Sequence, residues 1–185
     1  TDPFGNPINF YRGWIRVDVS MNGVPYHFVN THLEIQSFAP IQHQQTAELL
    51  NEVDGLDGVT VMTGDFNSDA AGKPDDPSWT ESYGMIREAG FADAWTEARP
   101  RTDSPGLTCC QASDLRNEAS EFYQRIDFVF LRLPDRGENG DAVPGRIRVD
   151  VVGDELGDRV GPNNLWPSDH AGIVADFCLP PGLVR

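Results

Sequence analysis

Four short motifs place acidic, amide or imidazole side chains where a hydrophobic run begins or ends. In chain order they are NTHLE (30–34), GDFNSD (64–69), RIDFVF (125–130) and PSDHAGIVADF (167–177). Hydrophobic runs of this length predict β-strands, and a polar residue at a strand end is delivered to one edge of the sheet. The motifs therefore favour a sheet that gathers all four strand ends at one edge.

The first half of the chain predicts strands and helices in alternation. WIRVDVSM (14–21) alternates apolar and polar residues, and an Asn-Gly pair separates it from a run ending at His32, which is typical of a β-hairpin. Residues 41–53 carry apolar residues near helical spacing and are followed by glycines, so they predict an amphipathic helix. A short, buried strand then ends at Asp65.

The second half continues this alternation. We expect a helix through Tyr83 and Ile86 to Gly90, and strands at GLTCC (106–110), IDFVFLRL (126–133), IRVDVV (147–152) and HAGIVADFCL (170–179), with a loop at 134–145. Several strands with helices to the side predict an α/β layered sandwich. The sequence contains no internal repeat and no linker, so we expect residues 1–185 to belong to a single domain.

The charge balance limits the partners that the chain can hold. The formal net charge is −15, from 29 acidic and 14 basic residues, and Lys73 is the only lysine. Affinity for a phosphate backbone comes mainly from Lys and Arg, so we expect weak binding to duplex DNA unless arginines cluster or divalent cations intervene. No apolar run approaches the ~20 residues that span a bilayer, so no transmembrane segment is predicted.

The three cysteines, Cys109, Cys110 and Cys178, match no zinc-ligand spacing. Because adjacent cysteines rarely bridge to each other, the two alternatives are a disulfide between one of the pair and Cys178, or three buried thiols. The acidic composition would suit a salt-rich or extracellular setting, and a disulfide would suit an oxidising one. A secreted or extracellular location is therefore favoured over a cytoplasmic one.

GDFN predicts an acid and an amide that point into the same cleft. The glycine lets the backbone turn sharply at the strand end. Asp65 could polarise an attacking water, and Asn67 could donate its amide to a phosphate oxygen. The alternative is that both side chains only cap the following loop.

SDH and RIDFVF supply a second group of candidates. Asp169 suits a hard divalent cation, and His170 suits proton transfer because histidine titrates near neutral pH. Asp127 lies in an otherwise apolar run, so it needs a partner, and an imidazole N–H is the simplest one. The alternative is a salt bridge with neighbouring Arg125.

NTHLE adds a further histidine at a strand end. His32 could donate to a phosphate oxygen or protonate the departing oxygen. His27 lies within the same predicted strand and His43 lies on the predicted helix, so we interpret both as structural or solvated.

Together the four motifs resemble those of the endonuclease/exonuclease/phosphatase superfamily, whose fold is that of deoxyribonuclease I, in the same order over residues 30–170. The resemblance implies a four-layer αββα sandwich and a divalent-metal-dependent phosphoesterase that acts by water attack on a phosphodiester or phosphomonoester. The expected cofactor is Mg²⁺, with Mn²⁺ or Ca²⁺ as alternatives. The expected substrate is a phosphate ester, either nucleic acid or a small phosphorylated molecule.

The resemblance also implies a role for each candidate residue. Three would contact the phosphate or the nucleophile: His32 as a phosphate donor or general acid, Asp65 as activator of the water, and Asn67 as a transition-state donor. The other three form a second group, in which Asp127 orients His170, His170 acts as base or phosphate contact, and Asp169 binds the metal.

One part of the family pattern has no counterpart in these residues. The family carries an Asn and a metal-binding Glu upstream of the segment that corresponds to the opening hairpin, and Glu34 is not expected to replace that ligand. We therefore expect residues 1–185 to be the carboxy-terminal portion of a single domain of about 250 residues. Such a portion would be weakly active or inactive alone.

A truncated sandwich would also expose an apolar sheet face. The missing amino-terminal segment, or another copy of the chain, would have to cover it. The alternatives to an enzyme are a non-catalytic binding module or a half-domain that assembles with another chain. A calcium-binding surface protein is a third possibility, although no loop matches an EF-hand in full.

Overall fold

The opening hairpin consists of β1 (Trp14–Met21) and β2 (Val24–His32). It is seen in a computed structural model that describes residues 10–99, 104–134 and 145–179. The two turn residues, Asn22 and Gly23, have φ values of 53° and 78°. Positive φ at both central positions is the conformation that an Asn-Gly pair favours in a tight hairpin turn. The predicted hairpin is confirmed.

The hairpin forms one side of a five-stranded sheet with the order β1-β2-β3-β5-β4. The other strands are β3 (Val59–Asp65), β4 (Ala92–Asp93) and β5 (Asp127–Arg132). β2 and β3 run parallel, whereas the remaining neighbours are antiparallel. A parallel pair needs a crossover connection, which α1 (Ala39–Val53) provides.

Helices cover one face of the large sheet. α1 and α2 (Ser82–Glu88) pack apolar side chains against its strands. The buried core on this face includes Val29, Leu49, Val53, Met62, Ile86 and Phe130. Both helices were predicted from the sequence, α1 from its apolar spacing. No helix among the described residues is long and apolar enough to cross a membrane.

A second sheet packs on the opposite face. β6 (Ile147–Val152) and β7 (Gly172–Phe177) pair antiparallel, and a short helix, α3 (Ala94–Ala98), lies against β6. Phe177 packs against the cluster that contains buried Leu131 of β5. The layers are therefore helices, large sheet and small sheet, and the predicted α/β sandwich is confirmed.

The small sheet leaves part of this face uncovered. Ile15, Val17 and Val19 of β1 lie on the same side as Phe28 of β2, because alternate strand positions and paired residues share a face. Their exposed fractions range from 38% to 69%. We call these four residues the β1–β2 strip. A contiguous apolar strip of this kind is typical of a surface that another polypeptide covers.

One local prediction was wrong. Residues 106–110 do not form a strand, because Cys109 makes isolated bridges to two different neighbours, Gln124 and His170, instead of following one continuous partner. The strand predicted at 126–133 is β5, and Asp127 is its first residue, so it lies at a strand end as the motif pattern predicted. Most of the predicted loop at 134–145 falls outside the described residues.

The cysteine prediction was also wrong. Cys109 and Cys110 are bonded to each other and joined by a cis peptide bond, while Cys178 is exposed and free. Cys178 follows β7 in the small sheet, where its carbonyl oxygen accepts the N–H of Gly145 at 3.0 Å. Its backbone is thus anchored to that sheet, whereas Cys109 is held beside His170.

Candidate active site

Three strand ends meet at one edge of the large sheet. β2 and β3 finish there, and β5, which is antiparallel to β3, starts there. The register pairs His32 with Asp65, and Asp65 with Asp127. Since paired residues project from the same face of a sheet, one imidazole and two carboxylates stand in a row across three strands.

Gly64 permits this close arrangement. Its φ is +136°, and a Cβ at this position would collide with the carbonyl oxygen of Thr31 on β2. Glycine alone adopts this conformation readily and leaves room for such an approach. The glycine of GDFN therefore lets β2 and β3 approach each other just before His32 and Asp65.

Asp65 occupies the centre of the row. Its Oδ2 lies 3.3 Å from His32 Nε2, and its Oδ1 accepts a hydrogen bond from the backbone N–H of Asn67 at 2.8 Å. Burial raises the pKa of the Asp65 carboxyl, and the Asp127 carboxylate raises it further, against the lowering effects of Asn67, His32 and His170. A carboxylate whose charge is destabilised in this way is a better proton acceptor.

His170 reaches the row from a segment outside the large sheet. Its backbone forms an antiparallel bridge with Cys109, and the N–H of Ala171 donates to the carbonyl oxygen of Thr108 at 2.8 Å. His170 Nδ1 then lies 2.9 Å from Asp127 Oδ2. This hydrogen bond raises the pKa of His170, against the lowering effect of burial, so it stabilises the charged form of the ring.

The alternative partner of Asp127 bonds elsewhere. Arg125 Nη1 donates to Asp93 Oδ2 at 2.7 Å, and both of these side chains are buried. The backbone N–H of Asp127 donates to Thr108 Oγ1 at 3.2 Å, which fixes the start of β5. The carboxylate of Asp127 is thus available to His170.

Asn67 lies in the turn after β3. Its φ of 49° falls in the left-handed region, which asparagine tolerates better than most residues. Its Nδ2 donates to the carbonyl oxygen of Leu33 at 3.0 Å. This bond ties together the loops that follow β2 and β3. Because an amide nitrogen carries two hydrogens, the second is left for another acceptor.

Asp169 is exposed beside His170. Its Oδ1 accepts from Ser168 Oγ at 3.3 Å, and its carbonyl oxygen accepts from the N–H of Gln111 at 2.8 Å. The structure brings the other five predicted residues into one connected cluster and places Asp169 at its rim. The members of the cluster are His32, Asp65, Asn67, Asp127 and His170.

The donor set suits a hard divalent cation. One ligand atom from each of Asp65, Asp127 and His170 lies within 4.8 Å of the others. Two carboxylates this close repel each other, which adds to the effect of burial in raising the pKa of Asp65. A cation with oxygen ligands, such as Mg²⁺, would relieve that repulsion. The carboxylates present therefore fit the expected metal. Asp65 and Asp127 are engaged by Asn67, His32 and His170, which leaves exposed Asp169 as the carboxylate most open to the ion.

Gln42 was not predicted to take part in the site. It is fully buried on α1, and its Nε2 donates to the carbonyl oxygens of Glu34 at 2.7 Å and Asn67 at 2.8 Å. A glutamine on the apolar side of an amphipathic helix is the only sequence signal for this role. Glu34 itself is paired with Arg12 at 3.1 and 3.2 Å, which lowers the pKa of its carboxyl.

The remaining two histidines lie apart from the row. His27 is five residues before His32 on β2, so it projects from the other face, and it contacts Asp18 Oδ1 and the carbonyl oxygen of Asp57, each at 2.7 Å. His43 Nδ1 lies 3.0 Å from Glu81 on the protein surface. Both have the structural or solvated character predicted for them.

Solved structures with the same fold identify the architecture. TDP2 from Caenorhabditis elegans superposes with a TM-score of 0.60 at 20% sequence identity, over 90% of this chain and 46% of that one. An endonuclease/exonuclease/phosphatase from Beutenbergia cavernae DSM 12333 gives 0.60 at 23% identity, over 96% and 41%. D. rerio TDP2 complexed with single strand DNA product gives 0.56 at 17% identity, over 88% and 60%.

These likenesses show that the chain has the endonuclease/exonuclease/phosphatase fold, of the deoxyribonuclease I type, as its motifs predicted. The chain spans about half the length of these proteins, from 41% to 60%. No family model matches the sequence. No curated protein matches it either.

Proposed function

We propose that this chain carries the active site of a divalent-metal-dependent phosphoesterase, which cleaves a phosphodiester or phosphomonoester by attack of water. The observation that supports this function is the row of His32, Asp65 and Asp127, with His170 bonded to Asp127. It combines a proton acceptor with two imidazole donors at one sheet edge. Hydrolysis of a phosphate ester needs both kinds of group.

Asp65 accepts the proton of the attacking water. Its carboxylate charge is destabilised by burial and by Asp127, which increases its proton affinity. The N–H of Asn67 fixes Oδ1, so the orientation of the carboxylate is set before a substrate arrives. A general base in a fixed position, with a proton affinity shifted toward the working pH, is what this step requires.

His170 donates to a phosphate oxygen. Its Nδ1 is engaged by Asp127, which leaves Nε2 for the substrate, and the Asp127 carboxylate stabilises a positive charge on the ring. The second amide hydrogen of Asn67 can serve a second phosphate oxygen. His32, exposed next to Asp65, would protonate the departing oxygen or hold the phosphate.

Asp169 is the proposed protein ligand for the metal, and Mg²⁺ is the ion that its carboxylate suits best, with Mn²⁺ or Ca²⁺ as alternatives. When bound, the ion neutralises negative charge on the phosphate and on the leaving oxygen. Polypeptide outside these residues would supply further oxygen ligands, because Glu34 is already paired with Arg12.

The net charge narrows the range of substrates that we propose. With 29 acidic against 14 basic residues, the chain is a poor match for long duplex DNA. A small phosphorylated molecule, or the end of a single strand, needs fewer phosphate contacts. One structural neighbour, D. rerio TDP2, was solved with a single strand DNA product, which makes such a strand the nucleic-acid substrate to test.

We further propose that the active form contains more polypeptide than these 185 residues. The β1–β2 strip is apolar and exposed, and the small sheet that covers the rest of this face has two strands among the described residues. The structural neighbours are about twice as long. An additional segment with apolar strands is therefore the proposed occupant of the strip, and the 185-residue chain alone would be weakly active or inactive.

Hydrolysis assays test this function. The 185-residue chain and the product of the whole open reading frame would be incubated with bis-p-nitrophenyl phosphate, p-nitrophenyl phosphate, a single-stranded oligonucleotide and plasmid DNA, with and without Mg²⁺. His170→Ala removes the proposed phosphate donor. His43→Ala is the matched control, because His43 is exposed and distant from the row.

Hydrolysis that requires Mg²⁺, is lost in His170→Ala and is kept in His43→Ala supports the proposal. A folded product of the whole reading frame that hydrolyses none of these esters in Mg²⁺, Mn²⁺ or Ca²⁺ contradicts it. Equal activity of the 185-residue chain and the longer product would contradict the need for an additional segment.

A further inference from the structure

The bonded cysteine pair lies directly beside the candidate active site. Cys109 exchanges backbone hydrogen bonds with Gln124, at 3.0 Å in both directions, and its backbone also forms a bridge with His170. Thr108, the preceding residue, accepts the N–H of Ala171. The two cysteines are thus fixed in position relative to His170 by backbone contacts on both sides.

The side chains of this segment also converge. One ligand atom from each of Cys109, Cys110 and His170 lies within 4.8 Å of the others. Cys109 is buried, while Cys110 and His170 are half-buried, so the group is accessible from one side. His170 therefore belongs to two donor groups. One contains the carboxylates of Asp65 and Asp127, and the other contains two sulfur atoms.

We propose that Cys109, Cys110 and His170 form a binding site for a soft divalent cation such as Zn²⁺ when the Cys109–Cys110 bond is reduced. The cysteine spacing alone predicted no zinc site, because the third ligand, His170, comes from a distant segment. Two thiolates and one imidazole are ligands that zinc prefers, and three protein ligands leave a fourth position for water. Thiolates favour zinc over Mg²⁺, which prefers oxygen ligands. The site is therefore chemically distinct from the carboxylate cluster.

Reduction supplies the ligands. A dithiol reductant donates two electrons and two protons to the S–S bond, which breaks to give the Cys109 and Cys110 thiols, while the reductant becomes a disulfide. When the cation binds, both thiols release their protons to solvent and ligate as thiolates. In the bonded state neither sulfur is a thiolate, so the oxidised chain cannot form this site.

The contact between Asp127 and His170 strengthens the proposed site. His170 Nδ1 is held by Asp127 Oδ2 at 2.9 Å, which leaves Nε2 to bind the cation. A histidine ligand oriented by a carboxylate on its other nitrogen is a recurring feature of zinc sites, and loss of the outer partner typically weakens metal binding by about 10–100-fold. Asp127 is thus a positioning residue for this site.

Occupation of the sulfur site would remove His170 from catalysis. Nε2 is the nitrogen that the proposed phosphoesterase uses to contact phosphate, so it cannot serve the cation and the substrate together. This consequence rests on the proposed function, but the binding site itself does not. Zinc binding to the reduced chain would therefore inhibit hydrolysis, whereas oxidation of the cysteine pair would restore it.

Cobalt(II) binding tests the site without a substrate. The 185-residue chain is reduced with dithiothreitol, desalted without oxygen and titrated with Co²⁺ alone, and thiolate-to-cobalt absorption is recorded. The proposal predicts saturation at one Co²⁺ per chain and reversal by Zn²⁺. The oxidised chain should show no thiolate band. Circular dichroism on each sample confirms that the fold is intact.

Substitutions distinguish the three cysteines. Cys110→Ser and Cys109→Ser each remove one of the two sulfur ligands, so each should lower the intensity of the thiolate band, and Cys110→Ser is the safer variant because Cys109 is buried. Cys178→Ser is the matched control, because this exposed cysteine lies in the small sheet, and it should leave the titration unchanged. Asp127→Asn should weaken Co²⁺ binding by about 10–100-fold.

Two results would overturn the site. One is a reduced, folded wild-type chain that shows no thiolate band with excess Co²⁺. The other is a thiolate band that keeps its full wild-type intensity in both Cys109→Ser and Cys110→Ser. Neither result depends on hydrolysis, so failure of this inference is distinguishable from failure of the phosphoesterase function.

Discussion

Gln42 Nε2 donates a hydrogen bond to the carbonyl oxygen of Asn67 across 2.8 Å. The same nitrogen donates to the carbonyl oxygen of Glu34, so one helical side chain joins the loops that follow β2 and β3. Those loops begin at His32 and Asp65, which stand side by side in the site. A residue outside the candidate catalytic set thereby sets the spacing of two residues within it.

Gln42→Leu should destabilise the chain and the site together. The substitution leaves two buried carbonyl oxygens without a donor, which costs about 1–3 kcal/mol for each unsatisfied group. The melting temperature should fall, and any hydrolysis should fall with it because the Asn67 loop is released. Gln44→Leu on the exposed side of α1 is the control. Equal melting temperatures for the two variants would contradict the role of Gln42.

Asp127→Asn should lower the pKa of His170, because the hydrogen bond with Asp127 is the main cause of its elevation. NMR titration of the His170 ring protons measures this directly. The folded chain holds the His170 proton more tightly than the unfolded chain. The contact therefore contributes stability below about pH 6.5, which is lost as the pH rises through the folded pKa. An unchanged titration midpoint in Asp127→Asn would refute this coupling.

Asp65→Asn should raise the stability of the chain and lower its activity. Burial raises the pKa of Asp65, so ionisation costs stability as the pH rises from about 3.9 through the folded pKa. Asparagine keeps the oxygen that accepts the Asn67 N–H but carries no charge. At pH 7 we expect a melting temperature higher by about 2–4 °C, equivalent to about 1 kcal/mol, and hydrolysis lower by about 10²–10⁴-fold.

The pH dependence provides the control for this variant. At pH values below about 3.9 both chains carry a neutral side chain at position 65, so the gain in melting temperature should disappear. If Asp65→Asn is less stable than the wild type at pH 7, ionisation of the Asp65 carboxyl does not destabilise the folded chain.

Asp169→Asn should raise the Mg²⁺ concentration needed for half-maximal hydrolysis by at least about tenfold, because one carboxylate ligand is lost. The fold should be unaffected, since the side chain is exposed. Asp176→Asn on β7 is a matched control with an exposed carboxylate away from the row. EDTA should abolish hydrolysis and excess Mg²⁺ should restore it. Identical Mg²⁺ curves for the two variants would exclude Asp169 as a ligand.

Val17→Lys should reduce self-association of the 185-residue chain. Val17 is 51% exposed in the β1–β2 strip, opposite Phe28, so a charge there is tolerated by the fold but not by an apolar contact. Ser20→Lys, on the other face of the same strand, is the control. Sedimentation equilibrium measures the association constant. A wild-type chain that stays monomeric at high concentration would show that the strip needs no cover.

Much of the fold could be predicted because its signals are local. The Asn22-Gly23 pair and the alternation on both sides of it specify the hairpin, and helical spacing specifies α1. The partner of Asp127 followed from a general rule, since a carboxylate in an apolar run must be paired. His170 meets that need although 43 positions separate the two residues in the chain.

The other features of the fold and the site depend on contacts between residues far apart in sequence, which no local sequence pattern predicts. GLTCC looks like a strand, yet the backbone of Cys109 is divided between Gln124 and His170. The bond between Cys109 and Cys110, and the bridging role of Gln42, exist only once distant loops have come together. The sequence could predict the side chains of the candidate site, but not the buried polar groups that hold them in place.

The candidate site exists only when β2, β3 and β5 pair in the correct register. Because side chains alternate across a sheet, a slip of one residue in β2, β3 or β5 would turn His32, Asp65 or Asp127 to the other face. A chain that misaligns its strands cannot retain a damaged version of this site, since the row would no longer exist. The specific activity of a sample would therefore be proportional to the fraction of its molecules that have the correct strand register.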